Sequence, residues 1–238
     1  MKRFFTPRLR RVFAIGGALA FAASLLFGAW LYGTAFGGPL PGSISPRAVA
    51  VDVALFAAFA IHHSVFARPG LKERVRIRVG TDIERSIYVW IASVLFFLMM
   101  ACWQPVAGTL WGANAAVAWL LAALQLCGAG LMVVAVRKTD FRGLAGLSAL
   151  GDSPRPQPDG PISQGPYGLI RHPLYLAFLL LLWPVAVMTF TRLLLAVLFT
   201  IYVVLAIPLE ERDLRRAFGR GYDDYARRVR SRLLPGVY

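Results

Sequence analysis

Two short stretches in the last third of the chain hold residue types that can bind and orient a polar ligand. The first runs Gly165-Pro166-Tyr167-Gly168-Leu169-Ile170-Arg171-His172-Pro173-Leu174-Tyr175, and the second is the pair Glu210-Glu211. Pro173 suits the first turn of a helix, where its missing N–H would have no helical partner. The open N–H groups of such a turn can bind a carboxylate, while Arg171 adds charge and His172 adds a titratable ring.

The sequence between these stretches predicts that they meet. Uncharged segments 174–191 and 193–209 predict an antiparallel helical hairpin, which places His172 and its neighbours close to Glu210 and Glu211. Carboxylates, an imidazole and open backbone donors suit a zwitterionic ligand with an ammonium and a carboxylate. Two simpler interpretations stay open. The first stretch can be a positively charged membrane entry with a capped helix, and the glutamates can form surface ion pairs of little energetic value.

Composition identifies the elements that must position these residues. The chain is 58% hydrophobic and 16% charged, with a mean hydropathy of +0.60, which is typical of membrane proteins. We expect an all-α, polytopic transmembrane bundle of about six spans, ending in the helical hairpin and a cytoplasmic amphipathic helix. The expected spans are 12–36, 48–67, 86–107, 115–136 and the two hairpin helices, which turn at residues 188–192.

The predicted roles divide the chain in two. Residues 1–136 hold spans one to four, as scaffold and substrate enclosure. Residues 137–238 hold the ligand-binding loop, the hairpin and the C-terminal helix, with a Pro- and Gly-rich loop at 151–165. The small residues Gly128-Ala129-Gly130 lie mid-span and predict close helix packing. Two cysteines without metal-ligand spacing predict neither a metal site nor a disulfide framework.

The net charge of +14 has a distribution that indicates topology. Of the 26 Lys and Arg residues, 24 lie in the N-terminal tail, the loops 68–85 and 137–171, and the C-terminal tail. Six alternating spans put these four segments on one side, so the positive-inside rule predicts a multi-pass protein with both termini in the cytoplasm. The basic segments are expected to attract anionic membrane lipid, and no nucleic acid partner is expected.

An apolar and aromatic stripe follows the hairpin. Its residues recur every three or four positions and predict one face of a helix, which Gly219 and Gly221 can interrupt. The stripe consists of Leu214, Phe218, Tyr222, Tyr225, Val229 and Leu233.

The motifs taken together resemble a known family. Gly-Pro-Tyr-x-x-x-Arg-His-Pro-x-Tyr, a hairpin, Glu-Glu-x-x-Leu and Phe-Gly-x-x-Tyr-x-x-Tyr are similar to the integral membrane methyltransferases of the isoprenylcysteine carboxyl methyltransferase and phospholipid methyltransferase superfamily. The resemblance implies S-adenosylmethionine as cofactor. The residues it places at the cofactor are Tyr167, Arg171, His172, Pro173, Leu174, Tyr175, Glu210, Glu211, Tyr222 and Tyr225.

A closer resemblance extends upstream. The segments 63–69, 83–89 and 103–105 are similar to the bacterial methanethiol S-methyltransferase and NnrU-like branch, which implies a small or lipophilic thiol such as methanethiol as methyl acceptor and the bacterial inner membrane as location. The chain departs from this branch at residues 140–147, which leaves the identity of the exact substrate open. It also has Ala206 where the prenylcysteine branch has a substrate-facing arginine, which argues against a prenylcysteine.

Two residues are candidates for taking up the proton of a thiol, His63 near the end of span two and Glu211. For His63, a hydrogen-bonded packing role stays open. Asp52, in the same span, is interpreted as an interfacial residue. Two rival functions also stay open, an NADPH-dependent membrane reductase of the sterol-reductase kind and a non-catalytic NnrU-like protein of nitrogen-oxide metabolism.

Overall fold

A computed structural model describes residues 6–66, 68–150 and 160–236, and it confirms an all-α polytopic bundle. The elements in chain order are α1 Pro7–Gly33, α2 Pro46–Phe66, α3 Pro69–Val79, α4 Thr81–Ala101, β1 Thr109–Gly112, α5 Ala115–Lys138, α6 Phe141–Leu144, α7 Pro173–Leu182, β2 Val187–Thr189, α8 Phe190–Phe218 and α9 Arg220–Arg228. Within the described residues, five helices are long and apolar enough to cross a membrane, namely α1, α2, α4, α5 and α8. The protein is therefore an integral membrane protein.

The chain forms two compact units. The first takes in the described residues of Met1–Ala35, Pro46–Gln104 and Asp140–Pro156, and α1 packs along α4 in it. Trp90 of α4 lies against Gly16 and Gly17 of α1, where a Cβ would approach its ring to 2.9 Å and 3.1 Å. The Trp90 Nε1 donates to the carbonyl of Phe13 at 2.9 Å. Small residues let the helices approach this closely.

The second unit takes in Phe36–Ser45, Pro105–Thr139 and the described residues of Gln157–Tyr238. Here α5 packs along α7, and the short strands β1 and β2 pair antiparallel. Gly128 lets the two helices approach, because a Cβ there would lie 2.7 Å from the Cβ of Leu180. Gly130 has open space around its Cβ position, so only the first glycine of the predicted motif makes the close contact. The division of roles at residues 136 and 137 concerns function and stays a prediction.

The fifth predicted span has an unexpected form. The helix α7 has only ten residues, about 15 Å of rise against a bilayer core of about 30 Å. Nevertheless, β1 precedes α5, β2 follows α7, and the two strands pair. The chain therefore returns along the whole of α5 between residues 165 and 189, as a short helix followed by an irregular segment. The other hairpin helix, α8, is the longest in the described chain with 29 residues.

The last turn of α7 and the irregular segment after it have partners for polar groups of the backbone and the side chains. The carbonyl of Leu181 accepts from Gln125 Nε2 at 2.9 Å, and that of Val185 accepts from Trp111 Nε1 at 3.1 Å. The Trp183 Nε1 donates to Thr200 Oγ1 at 3.0 Å. Such contacts are what non-helical backbone at membrane depth requires. The predicted hairpin turn at 188–192 was wrong in detail, since β2 ends at Thr189 and residues 190–192 begin α8.

The end of α8 divides the predicted amphipathic helix. Gly219, with φ of +54°, separates α8 from α9, because this left-handed conformation suits glycine. Tyr222, Tyr225 and Val229 form one buried cluster. Leu233, which the stripe assigned to the same face, packs elsewhere, on Val203 and Ile207 of α8. Residues 151–159 of the predicted loop lie outside the described residues. Residues 160–164 of the same loop have no regular secondary structure.

Candidate active site

The start of α7 carries the first predicted site residues. Pro173 occupies the first turn, and His172 precedes it with a non-helical backbone, φ −123° and ψ 60°. Both are buried, whereas Leu174 and Tyr175 are half-buried. The ring of His172 stacks on that of Tyr175, with centroids 5.6 Å apart. The imidazole is thereby held in one orientation at the entrance of the helix.

The two glutamates at the end of α8 lie in different surroundings. The Glu211 side chain is fully buried, while that of Glu210 is 46% exposed. Consecutive helix residues point about 100° apart, so one can face the interior while the other faces out. His172 lies between them, with Nδ1 3.6 Å from Glu210 Oε2 and Nε2 3.5 Å from Glu211 Oε1. The pair therefore offers one enclosed carboxylate and one accessible carboxylate.

Three arginines surround the Glu211 carboxylate. Arg171 Nε lies 2.8 Å from Oε1, Arg232 Nη2 lies 3.4 Å from Oε2, and Arg215 Nη2 lies 3.9 Å from Oε2. The Arg171 side chain is only 9% exposed, so its ion pair with Glu211 is taken out of water. A buried pair of this kind resists the loss of either member, because the remaining charge would have no counter-charge.

Three tyrosines close the same region. Tyr225 donates its hydroxyl proton to the carbonyl of Tyr167 at 2.8 Å, which ties α9 to the turn that precedes α7. Burial raises the pKa of Tyr225 to about 12 and that of Tyr167 to about 12. Burial, together with the negative charge of Glu211, also raises the pKa of the fully buried Tyr222. All three hydroxyls therefore stay protonated at neutral pH.

The structure adds site residues that the sequence analysis missed. Arg232 and Arg215 both approach Glu211, and the backbone of residues 231 and 232 pairs with that of Arg171 and His172. The sequence held one signal for these arginines, the balance of charge. A carboxylate at membrane depth needs counter-charges, and the C-terminal tail holds eight arginines that could supply them. Sequence spacing does not say which of them turns back.

His63 belongs to the first unit, and Glu211 belongs to the second. The Nδ1 of His63 lies 2.8 Å from the hydroxyl of Tyr88. The Arg85 guanidinium lies over the Tyr88 ring, 4.7 Å from its centroid, and Arg85 Nε donates to the carbonyl of Gly143 at 2.6 Å. The His63 ring is thus held by a tyrosine that the sequence analysis did not select as a site residue.

Asp52 is buried within the protein. It has no exposed surface, and its Oδ1 accepts from the backbone N–H of Gln104 at 2.7 Å. This contact ties α2 to the segment after α4.

Comparison with known proteins places this geometry in a family. The phospholipid methyltransferase profile matches residues 118–221, a range that includes His172, Glu210 and Glu211. A methanethiol S-methyltransferase of Pseudomonas deceptionensis is 36% identical over 201 residues, which cover 83% of this chain and 76% of that protein. Methanethiol S-methyltransferase 2 of Bradyrhizobium diazoefficiens is 34% identical over 237 residues, 95% of this chain and 90% of that protein.

The chain belongs to the methanethiol S-methyltransferase family. It is therefore a membrane methyltransferase, an enzyme that needs a methyl donor. Nurim of Xenopus laevis is also similar, 30% identical over 177 residues, 69% of this chain and 62% of that protein. No solved structure matches the chain. The matched residues 118–221 exclude Tyr222, Tyr225 and Arg232.

Proposed function

We propose that this methyltransferase uses S-adenosylmethionine to S-methylate a small or lipophilic thiol such as methanethiol, in the bacterial inner membrane with both termini in the cytoplasm. The observation that carries the cofactor proposal is the placement of His172 between an accessible and an enclosed carboxylate, Glu210 and Glu211, at the start of α7. The names of the relatives support the thiol acceptor.

The site has the chemistry that the amino acid part of the cofactor requires. Glu210 is half-exposed and suits an ammonium group, with His172 at its side. Leu174 lies in the first turn of α7, where backbone N–H groups have no acceptor within the helix and suit a carboxylate. The half-buried Tyr167 and Tyr175 can offer aromatic surface to the ligand. The buried Tyr225 supports Tyr167 through its hydrogen bond, and Tyr222, Arg171 and Pro173 are proposed to support the shape of the site.

S-adenosylmethionine, when bound, supplies a methyl group that is already activated by a positive sulfur. The chain has three remaining tasks, which are to align the thiol sulfur with that methyl, to exclude water and to accept the thiol proton. The thiol sulfur would gain the methyl through a new C–S bond as the bond between that methyl and the cofactor's sulfur breaks, which would leave a neutral thioether. The thiol proton would pass to a base of this chain. We propose His63 and Glu211 as candidates for the proton acceptor. The three arginines on Glu211 stabilise its charged form, which makes it a weak base and favours His63.

The test of the cofactor site is isothermal calorimetry on detergent-purified protein. We expect micromolar binding of S-adenosylmethionine, reduced at least about tenfold in Glu210→Gln and in His172→Ala, since a charge-assisted contact is worth about 1.5–3 kcal/mol. Glu73→Gln is the matched control, because Glu73 is also about half-exposed but belongs to α3. No binding by folded wild type would remove the cofactor proposal. Binding of NADPH instead would favour the reductase alternative.

The test of the acceptor is turnover with a thiol series at several pH values. The thiolate is the competent nucleophile, so the rate is expected to rise through the ionisation range of each thiol and to level off above it. A flat profile through that range would exclude a thiol acceptor. Cofactor binding without turnover of any acceptor would favour a non-catalytic role.

A further inference from the structure

The C-terminal strap, defined as residues 229–233, runs beside the residues that precede α7. The backbone N–H of Arg171 donates to the carbonyl of Ser231 at 3.0 Å, and that of His172 donates to the carbonyl of Arg232 at 2.9 Å. The side chain of Arg171 donates through Nη1 to the carbonyl of Val229 at 3.1 Å. The strap therefore supplies acceptors for both backbone N–H groups and for the buried guanidinium.

Two side chains fasten the strap itself. Leu233 is 5% exposed and packs on Val203 and Ile207 of α8. Arg232 reaches the same helix through Glu211, with Nη2 3.4 Å from Oε2. The apolar contact fixes one end of the strap, and the ion pair fixes the point at which the His172 N–H is accepted. A strap held in this way sets the position of the His172 ring through its backbone.

We propose that Arg232 is a positioning residue of the methyltransferase site. It acts through Glu211 and His172, and it holds the strap so that the start of α7 has the geometry required to bind the cofactor. The expected effect of Arg232 on cofactor binding rests on the proposed function. The expected effect of Arg232 on the backbone at residues 171 and 172 does not depend on it.

The experiment compares Arg232→Gln, Arg232→Lys and the control Arg230→Gln. Gln keeps the backbone carbonyl that accepts from His172 and removes the charge, while Lys keeps the charge but loses the planar donor pair. Arg230 is exposed on the same strap, so Arg230→Gln makes the same chemical change at a position that points outward.

Two readouts separate positioning from loss of the fold. In ligand-free protein, hydrogen exchange of the Arg171 and His172 amides is expected to rise about tenfold in Arg232→Gln, with exchange in α5 unchanged, because local opening is independent of the global fold. The affinity for S-adenosylmethionine is expected to fall about tenfold, which corresponds to about 1.4 kcal/mol. Arg232→Lys should recover most of both effects, and Arg230→Gln should match wild type.

The outcomes distinguish this proposal from the proposed function. Equal exchange at residues 171 and 172 in Arg232→Gln and Arg230→Gln overturns the inference, whatever the cofactor does. Faster exchange with no binding by wild type supports the positioning and removes the cofactor proposal. If Arg232→Gln fails to fold, Arg232→Lys provides the test. Hydrogen exchange that rises by less than about tenfold, and only at residues 171 and 172, supports the inference. Exchange equal to that of wild type contradicts it.

Discussion

Glu210 and Glu211 show how two identical neighbouring residues acquire different tasks. Burial and three arginines commit Glu211 to an internal ion-pair network, while Glu210 stays accessible beside His172. Ionisable residues near the membrane are expensive to bury, so each needs a partner or a function. Glu211 has the partners, and Glu210 has the exposure that ligand binding requires.

Removing the Glu211 charge should therefore reduce stability. Glu211→Gln leaves Arg171 buried without its counter-charge, and the free energy of unfolding is expected to fall by about 3–5 kcal/mol. Glu210→Gln makes the same change at a half-exposed position and should stay within about 0.5 kcal/mol of wild type. Thermal unfolding in detergent measures both. Equal losses in the two variants would mean that the Arg171–Glu211 pair does not stabilise the fold.

Tyr225 predicts a loss of stability in alkali. Its pKa is raised by burial from 10.0 to about 12, so the folded protein holds a proton that the unfolded chain releases between these values. This contribution is fully present below pH 10 and is lost as the pH rises towards 12. Thermal midpoints measured from pH 9 upward should fall less steeply in Tyr225→Phe. The same pH dependence in the variant and wild type would contradict the shift.

The residues themselves were partly predictable. The hairpin pattern indicated that His172 would meet Glu210 and Glu211, because two antiparallel helices bring the start of one to the end of the other. The sequence could not tell which glutamate is buried, since that depends on the rotation of α8 about its axis. Arg232 was missed for a different reason. The stripe assigned Val229 and Leu233 to one helix face, whereas α9 ends at Arg228 and the following residues pair with Arg171 and His172.

At the scale of elements, α5 and α7 depend on one glycine. The sequence indicated close packing at Gly128-Ala129-Gly130, and the structure places Gly128 against Leu180 and leaves Gly130 open. Residue type suggested the contact, but the direction in which each glycine faces is set by the tertiary packing. Positions 128 and 130 of α5 can therefore be compared directly, since one glycine is in close contact and the other is not.

Gly128→Ala should destabilise the second unit, and Gly130→Ala should not. The added methyl at 128 lies 2.7 Å from Leu180 Cβ and 3.2 Å from the Ala177 carbonyl oxygen, and overpacking of this kind costs about 1–3 kcal/mol. At 130 the methyl meets open space, and replacement of a helical glycine by alanine is favourable by up to about 1 kcal/mol. Thermal midpoints in detergent provide the measurement. A higher midpoint for Gly128→Ala would mean that α5 and α7 can separate at no cost.

At the scale of the whole molecule, the number and form of the membrane spans were only partly predictable from hydropathy. Hydropathy predicted six crossings, whereas five helices among the described residues are long enough to cross a membrane, and the fifth predicted span contains the ten-residue helix α7. A continuous apolar run reads as one helix, whereas Pro184 and the partners provided by Gln125 and Trp111 end α7 after ten residues. Those partners come from elsewhere in the chain, so the local sequence could not reveal the break.

Reporter fusions test the topology. The pairing of β1 with β2 places residue 112 beside residue 187. The 24 basic residues in four segments favour an even number of crossings. We expect reporters at residue 6 and at residue 236 to be active only on the cytoplasmic side, and a reporter inserted at 112 to be active only on the opposite side. A C-terminal reporter outside the cytoplasm would mean that the segment 165–189 does not cross.

The strap at residues 229–233 also has a consequence for the order in which the protein is made. Synthesis proceeds from the N-terminus, so every described helix has been synthesised before the carbonyls of Ser231 and Arg232 exist to accept from Arg171 and His172. The nascent protein can occupy the membrane with its helices in place while the start of α7 still lacks these partners. We therefore expect a chain truncated before residue 229 to enter the membrane but to lack the partners that hold the start of α7.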